Sequence, residues 1–383
     1  MKTKFYFLSA TLLFSVFLWL ACSSTDSANS SELGVEESVN EEQTEDTNTQ
    51  DFDAEGYISP NELVLKMGVG WNLGNSFDVE SRDKTAWGNP LPTKAMIDLV
   101  ANSGFNTLRI PVTWGYHQDE NSPYAIEPDY LNRVQDVVDI ALENQLIVII
   151  NVHHDDDWVK LEADKKDDVI ARLSSLWTQV ATRFKAYDNR LIFEILNEPR
   201  LKGTPLEWNG GNAESRAILN EYHKAGVEAI RAVEGFNANR VLMVSTYAAS
   251  TIDEVMNDLI IPNSDENILI SLHSYFPWSF AGEENGPSEW GSEAEKEALK
   301  NEMEKIYQKW VVSENRNVIL GEWGSRNKNN LEDRVAYATN YTQLALQYGF
   351  IPIVWDDGGN FRLQNRNTIS WQYSEIVDAI TNP

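Results

Sequence analysis

From residue 69 onward, short apolar runs alternate with longer segments whose apolar positions recur every three or four residues. The first pattern predicts buried strands and the second amphipathic helices. Eight runs read as strands: 69–73, 107–111, 147–152, 191–196, 241–245, 268–272, 318–321 and 351–355. Helices are expected over 93–103, 128–144, 167–187, 214–234, 292–312 and 331–348. A weaker helix is expected at 247–258 and a last one at 370–380. Near-continuous apolar strands separated by helices indicate a parallel sheet covered on its faces. Eight such units predict closure, giving an α/β fold of the (β/α)₈ TIM-barrel type as one catalytic domain over residues 57–383. No internal sequence repeat is present.

The residues ahead of this domain follow other patterns. Lys2 and Lys4 precede an apolar stretch over 5–20 that ends at Leu20-Ala21-Cys22-Ser23. The stretch is short for a membrane span of about 20 residues and reads as an export signal. Residues 1–22 resemble a bacterial lipoprotein signal, which implies lipidation at Cys22. The expectation is an exported protein, lipid-anchored to the bacterial outer membrane or cell surface, with simple secretion as the alternative. Cys22 is the only cysteine, so no intrachain disulfide can form. Residues 23–56 are rich in Ser, Thr, Asn, Gln, Glu and Asp and lack Lys and Arg. They are expected to be a disordered acidic tether.

A net charge of −28 argues against nucleic acid or anionic lipid as a partner and fits an uncharged ligand. Thirteen Trp in an exported, acidic chain suggest sugar-stacking platforms as well as core filling.

Polar residues gather where the strands end, the position of chemistry in such barrels. Strand 1 leads into Trp71, Asn72 and Asn75, and strand 2 carries Arg109. Strand 3 ends with Asn151, His153 and His154, and strand 4 with Asn197 and Glu198. Strand 6 ends with His273 and Tyr275, strand 7 with Glu322, and strand 8 with Trp355, Asp356 and Asp357. Three of the five histidines thus fall at strand ends. Glu198 and Glu322 each close an apolar run and precede a chain breaker, Pro199 or Gly324. Two carboxylates at the mouths of buried strands suggest an acid/base and nucleophile pair for cleaving a glycosidic bond.

Seven motifs in order carry a resemblance: Gly-Trp-Asn-Leu-Gly-Asn (70–75), Ala-Trp-Gly-Asn-Pro (86–90), Leu-Arg-Ile-Pro-Val-Thr-Trp (108–114), Asn-Val-His-His (151–154), Glu-Ile-Leu-Asn-Glu-Pro (194–199), His-Ser-Tyr (273–275) and Gly-Glu-Trp-Gly (321–324). Together they resemble glycoside hydrolase family 5, and within it the subfamily 4 endo-β-1,4-glucanases. The resemblance implies retention of anomeric configuration without metal or cofactor. It implies Glu198 as general acid then base, with a raised pKa, and Glu322 as nucleophile, held anionic by Arg109 and the Tyr275 hydroxyl. Asn197 resembles the residue that binds the sugar 2-hydroxyl. His153 and His273 match active-site histidines, and Trp355 matches the stacking base beneath the reacting sugar. His154, Asn72, Trp87, Trp114 and Trp278 are further cleft candidates.

Other polar residues take structural readings. Glu194 is expected mid-strand, buried and paired with a basic or His group. Asp155, Asp156 and Asp157 are expected in a solvated loop rather than around a metal. Asp356 and Asp357 are read as substrate hydrogen-bonding or loop residues, and His117 and His223 as ordinary ones. The implied activity is internal cleavage of cellulose-like chains, mixed-linkage β-glucan or xyloglucan by a monomer. An endo-β-mannanase or xylanase on the same barrel is the alternative, and a non-catalytic surface glycan-binding protein comes third.

Overall fold

The computed structural model describes residues 58–383. Cys22 and the expected signal and tether lie outside the described residues. Eight strands form a closed parallel barrel in sequence order: β1 (Gly70–Leu73), β2 (Thr107–Ile110), β3 (Ile147–Asn151), β4 (Leu191–Glu194), β5 (Leu242–Ser245), β6 (Ile268–His273), β7 (Val318–Trp323) and β8 (Ile351–Asp356). The barrel closes by pairing of β1 with β8. Every strand but β8 is buried along its whole length, and β8 only opens at Trp355. That burial explains the near-continuous apolar runs.

The outer helices are α2 (Lys94–Asn102), α3 (Pro128–Glu143), α4 (Lys166–Arg183), α5 (Ala213–Arg231), α6 (Asp253–Asp258), α7 (Trp278–Ala281), α8 (Glu293–Tyr307), α9 (Leu331–Gln347) and α10 (Ser374–Thr381). Ahead of them, α1 (Pro60–Met67) was not evident in the apolar periodicity. Its signature is a capping box, in which Ser59 and Glu62 satisfy each other's backbone N–H, with Pro60 opening the first turn. Leu63, Val64 and Met67 of α1 join Ile149, Ile192, Met243, Ile319 and Ile353 in a core cluster of their own. The helix thus packs against the residues that fill the barrel interior. Among the described residues, no helix is long and apolar enough to cross a membrane.

Several boundaries differ from the sequence expectation. Strand β4 stops at Glu194, so Glu194 ends the strand and Glu198 lies beyond it. The backbone stays pinned there, because Ile195 N donates to Met243 O and Asn197 N to Val152 O. Strand β7 runs on through Glu322, and its pairing slips between Leu320 and Trp323. The weak segment at 247–258 holds only one turn at Tyr247–Ala249 and then α6. The last helix begins at Ser374, because Ser370–Trp371 pairs antiparallel with Gln364–Asn365.

Candidate active site

The site is organised around one cation. Arg109 on β2 is fully buried. Its Nε donates to Glu194 Oε2 at 2.8 Å, and its Nη1 to Asn72 Oδ1 and Glu322 Oε1, both at 2.9 Å. Its Nη2 donates to Asn197 Oδ1 at 2.7 Å. A buried guanidinium is costly unless paired and hydrogen-bonded. Burial opposes the charge here, yet Glu194 and Glu322 together hold the pKa above its ordinary value. Glu194 is also held by Asn151 Nδ2 at 3.0 Å and Ser271 Oγ at 2.5 Å, as expected of a structural carboxylate.

An irregularity in the sheet aims the reactive groups. The β6–β7 pairing shifts between Leu272 and His273, which places His273 opposite Glu322. Such bulges re-aim side chains. His273 Nδ1 lies 2.7 Å from Glu198 Oε1 and 3.7 Å from Glu322 Oε2. Glu198, His273 and Glu322 each present one atom within 4.8 Å of the others. Two carboxyl groups about 5–5.5 Å apart suit double displacement, whereas about 6.5–9.5 Å leaves room for a water and gives inversion. Tyr275 Oη donates to Glu322 Oε2 at 3.1 Å, so Glu322 accepts from both Tyr275 and Arg109. His153 Nε2 sits 3.9 Å from Glu322, and its Nδ1 lies 3.1 Å from Asn151 Nδ2. Burial, with His154 and Arg109 nearby, drives the His153 pKa well down and keeps the ring neutral.

The charge state of the pair departs from expectation. Burial pushes the Glu198 carboxyl up, but the His273 hydrogen bond, His273 charge and Arg200 outweigh it and hold the pKa below 4.5. Burial lifts Glu322 above 4.5, with Glu198 adding to the rise and His273 and Arg109 resisting it. Burial also opposes charge on His273, yet Glu322 and Glu198 raise its pKa above 6.5. The Glu198 and His273 directions both favour an ionised Glu198 accepting from a protonated His273, the reverse of the proton-bearing Glu198 expected from sequence.

The remaining candidates divide into wall and core. Trp355 is half-buried on β8 and parallel to His153, 5.9 Å away between ring centres. Gly74 runs so close beneath it that a Cβ would sit 2.7 Å from the indole. His154 is half-buried, with its ring 4.3 Å from His153 and 5.8 Å from exposed Trp87. Trp278 is 61% exposed and meets Tyr275 edge-on at 6.2 Å. Asn72 and Trp114 are corrections, because both are fully buried and neither borders the cleft. Asn72 Nδ2 donates to the carbonyls of Gly321, Ile353 and Val354, tying β1 to β7 and β8. Trp114 Nε1 donates to Asn151 O and the ring packs against Tyr130.

The aspartate run is not a solvated loop except at Asp157. Buried Asp155 accepts from Trp114 N, Gly115 N and Trp158 Nε1, and buried Asp156 pairs with Arg200 and Lys202. Asp356 ends β8, is buried and accepts from the backbone N–H of Gly358, Leu363 and Gln364, so its carboxylate holds the loop that follows the strand. Arg200 was missed. Its Nη1 donates to Glu198 O at 2.9 Å and lies 3.8 Å from Glu198 Oε2, and its guanidinium lies 4.6 Å over Trp208. A cation one residue past Asn197-Glu198-Pro199 was the available signal.

Residues 69–360 match the family model described as cellulase, glycosyl hydrolase family 5. The cellulase/esterase CelE of Acetivibrio thermocellus is 44% identical over 330 residues, spanning 84% of this chain but 40% of that protein. ZgEngAGH5_4, solved in complex with a cellotriose, superposes with a TM-score of 0.83 at 51% identity and covers 85% of this chain and 98% of its own. A GH5-4 broad specificity endoglucanase from Clostridium acetobutylicum superposes with a TM-score of 0.83 at 43% identity, over 85% of this chain and all of its own.

Proposed function

The chain belongs to glycosyl hydrolase family 5, and on that premise we propose that it is a retaining endo-β-1,4-glucanase acting on cellulose-like chains, mixed-linkage β-glucan or xyloglucan. The observation that carries the reading is the Glu198–His273–Glu322 cluster, with its atoms within 4.8 Å of one another and Arg109 and Tyr275 both on Glu322. The relative with a bound cellotriose and the broad specificity endoglucanase support the glucan class.

Glu322 attacks the anomeric carbon while Glu198 protonates the departing glycosidic oxygen. The proton comes from the Glu198–His273 hydrogen bond, so His273 acts as its reservoir. Arg109 and Tyr275 orient the attacking carboxylate. Once Glu322 is esterified its negative charge is gone, which lowers the Glu198 pKa further. Glu198 is then the base that takes a proton from water, and the water oxygen displaces Glu322 from the sugar. Trp355 supplies an apolar face beneath the reacting ring, and exposed Trp87 and Trp278 supply further faces for neighbouring sugars.

The test compares viscosity loss with new reducing ends on soluble β-glucan, with a panel of carboxymethylcellulose, lichenan, xyloglucan, xylan and mannan. Internal cleavage gives a steep early fall in viscosity per bond cut. Release of short products at nearly constant viscosity overturns endo action, and activity on mannan alone overturns the glucan assignment. The proposal extends to location: a monomeric enzyme, exported and lipid-anchored through Cys22. Cys22→Ser then releases the protein from membranes or leaves its precursor uncut, and wild-type protein wholly in the soluble exported fraction overturns the anchor.

A further inference from the structure

Arg334, in the first turn of α9, is a buried cation that no carboxylate neutralises. Only 1% of its surface is exposed. Its Nε donates to Ser325 Oγ at 3.3 Å, and its guanidinium lies 4.8 Å over the Tyr373 ring. Its Nη1 has no hydrogen-bond partner among the described residues. The nearby carboxylate of Asp356 is engaged elsewhere, by Arg366 and by the backbone N–H of Gly358, Leu363 and Gln364. Burial pushes the Arg334 pKa down to about 10, so the group stays charged at neutral pH. A buried charge is costly unless it is paired and hydrogen-bonded. Trp323, the residue after Glu322, repeats the deficit. It is 1% exposed, its ring stacks on Tyr341 at 4.2 Å between centres, and its Nε1 also has no partner among the described residues.

Both residues line one small cavity, together with Ser325, Trp355 and apolar side chains of β8, α9 and α10. Its volume is about 10 Å³, roughly the space that one water-sized sphere requires. Phosphate, sulfate or a carboxylate needs more room. The chemistry of the wall decides between the small occupants. Guanidinium and indole N–H groups donate and cannot accept. The Ser325 hydroxyl already accepts from Arg334 Nε, so its own proton is free to give. A water molecule makes about three hydrogen bonds and brings two protons that need acceptors, and these side chains offer none beyond that hydroxyl. A small anion uses donors alone and neutralises the guanidinium. The chain as a whole carries a net charge of −28, which resists anions at its surface, so the attraction here is local to a desolvated cation.

We infer that this cavity is a halide site, taking one chloride ion between Arg334, Trp323 and the Ser325 hydroxyl. The ion braces the end of β7, one residue past Glu322, against α9 and beside Trp355. The site does not depend on which glycan is cut, and its test needs no substrate. Full-length protein is unfolded in urea while sodium chloride replaces sodium gluconate at constant ionic strength. The expected result is a saturable rise in the folded-to-unfolded ratio, about elevenfold at a chloride concentration ten times the dissociation constant. Sodium bromide should act in the same way. Arg334→Gln and Trp323→Phe should both lack the saturable rise. Trp323→Phe keeps an aromatic ring on Tyr341 and the charge on Arg334, so it answers the question even where Arg334→Gln fails to fold. Crystals of wild-type protein grown in sodium bromide should show an anomalous bromine peak within hydrogen-bond reach of Arg334 and Trp323. A ratio that does not saturate with chloride overturns the inference, as does a saturable rise of unchanged affinity in Trp323→Phe. Density at the site without a bromine signal marks a water only and overturns it as well.

Discussion

Replacing Arg109 by Lys keeps the charge and removes the fork, which makes it a sharp test of how the site is held. Four acceptors converge on this guanidinium from β1, β7, the end of β4 and the segment after it: Asn72, Glu322, Glu194 and Asn197, at 2.7–2.9 Å. An ammonium has three donors on one nitrogen and cannot reach acceptors spread around a planar fork. At least one buried acceptor loses its partner, and the geometry favours two. At about 1–3 kcal/mol for each unsatisfied buried group, two such groups cost the variant about 2–6 kcal/mol of stability. The chemistry suffers in a direction that can be worked out. Burial lifts Glu322 above 4.5, and Arg109 is one of the groups resisting that rise. With the fork gone, Glu322 rises further and is protonated, and so non-nucleophilic, up to a higher pH. The acid limb of the kcat/KM profile therefore moves to higher pH, beside a loss of about 10²-fold from misplacement of the carboxylate. Urea denaturation and a pH–rate profile on soluble β-glucan read both effects. Unchanged stability with an unshifted acid limb would refute the reasoning, because it would mean that the four bonds neither hold the fold nor tune Glu322.

The wild-type profile should be bell-shaped, since Glu322 must be ionised and the Glu198–His273 pair must keep its proton. Activity is lost as pH falls through a Glu322 value above 4.5 and as pH rises through a His273 value above 6.5; an alkaline limb unmoved in His273→Asn would exclude His273 as the reservoir. Glu322→Ala should abolish turnover, and azide should restore it with an inverted glycosyl azide as product, detected by NMR; substantial activity without added nucleophile would place the nucleophile elsewhere. Glu198→Ala should slow glucan hydrolysis far more than hydrolysis of aryl glycosides with good leaving groups, which need little proton donation, and equal losses on both would remove Glu198 from the acid role. Arg200→Ala should lower kcat on glucan about tenfold and shift the profile by freeing the Glu198 carbonyl and its carboxylate neighbour, and an unaltered profile would reduce Arg200 to a surface contact.

The eight strands were legible because each is buried on both faces, so each wrote a near-continuous apolar run into the chain. Helix α1 was not, because eight residues give too little periodicity; the Ser59/Glu62 capping box carried the signal instead. Strand ends located the polar residues but not their depth. Trp87 and Trp114 stand in similar motifs, yet one is 40% exposed and the other is sealed beneath Tyr130. Asn72 sits at the mouth of β1 and points its amide into three carbonyls of other strands. Depth depends on which way a side chain turns once the ladder ends, and that is set by partners distant in sequence. The same holds for Asp155, whose acidic neighbours suggested solvent while its actual partners lie in the segment after β2 and at Trp158.

The charge state was the least legible feature, and the reason is structural. Glu198 alone on a strand-end loop reads as a buried acid with its proton retained. The slip in β6–β7 pairing brings His273 opposite Glu322, and the ring settles 2.7 Å from Glu198. The proton then belongs to a three-member cluster rather than to one carboxyl. This arrangement resolves a conflict in what Glu198 must do, since an acid tuned for the first step is a poor base for the second. A His273 pKa raised by Glu322 and Glu198 favours a proton shared in that hydrogen bond, so that Glu198 can be basic by itself and still deliver a proton when the leaving oxygen needs one. Arg109 sets the opposite member: it binds Glu322 and Glu194 at once, so the cation that keeps the nucleophile in place is anchored by a carboxylate that takes no part in the reaction. Removing Glu194 would therefore be expected to disturb Glu322 without touching the substrate.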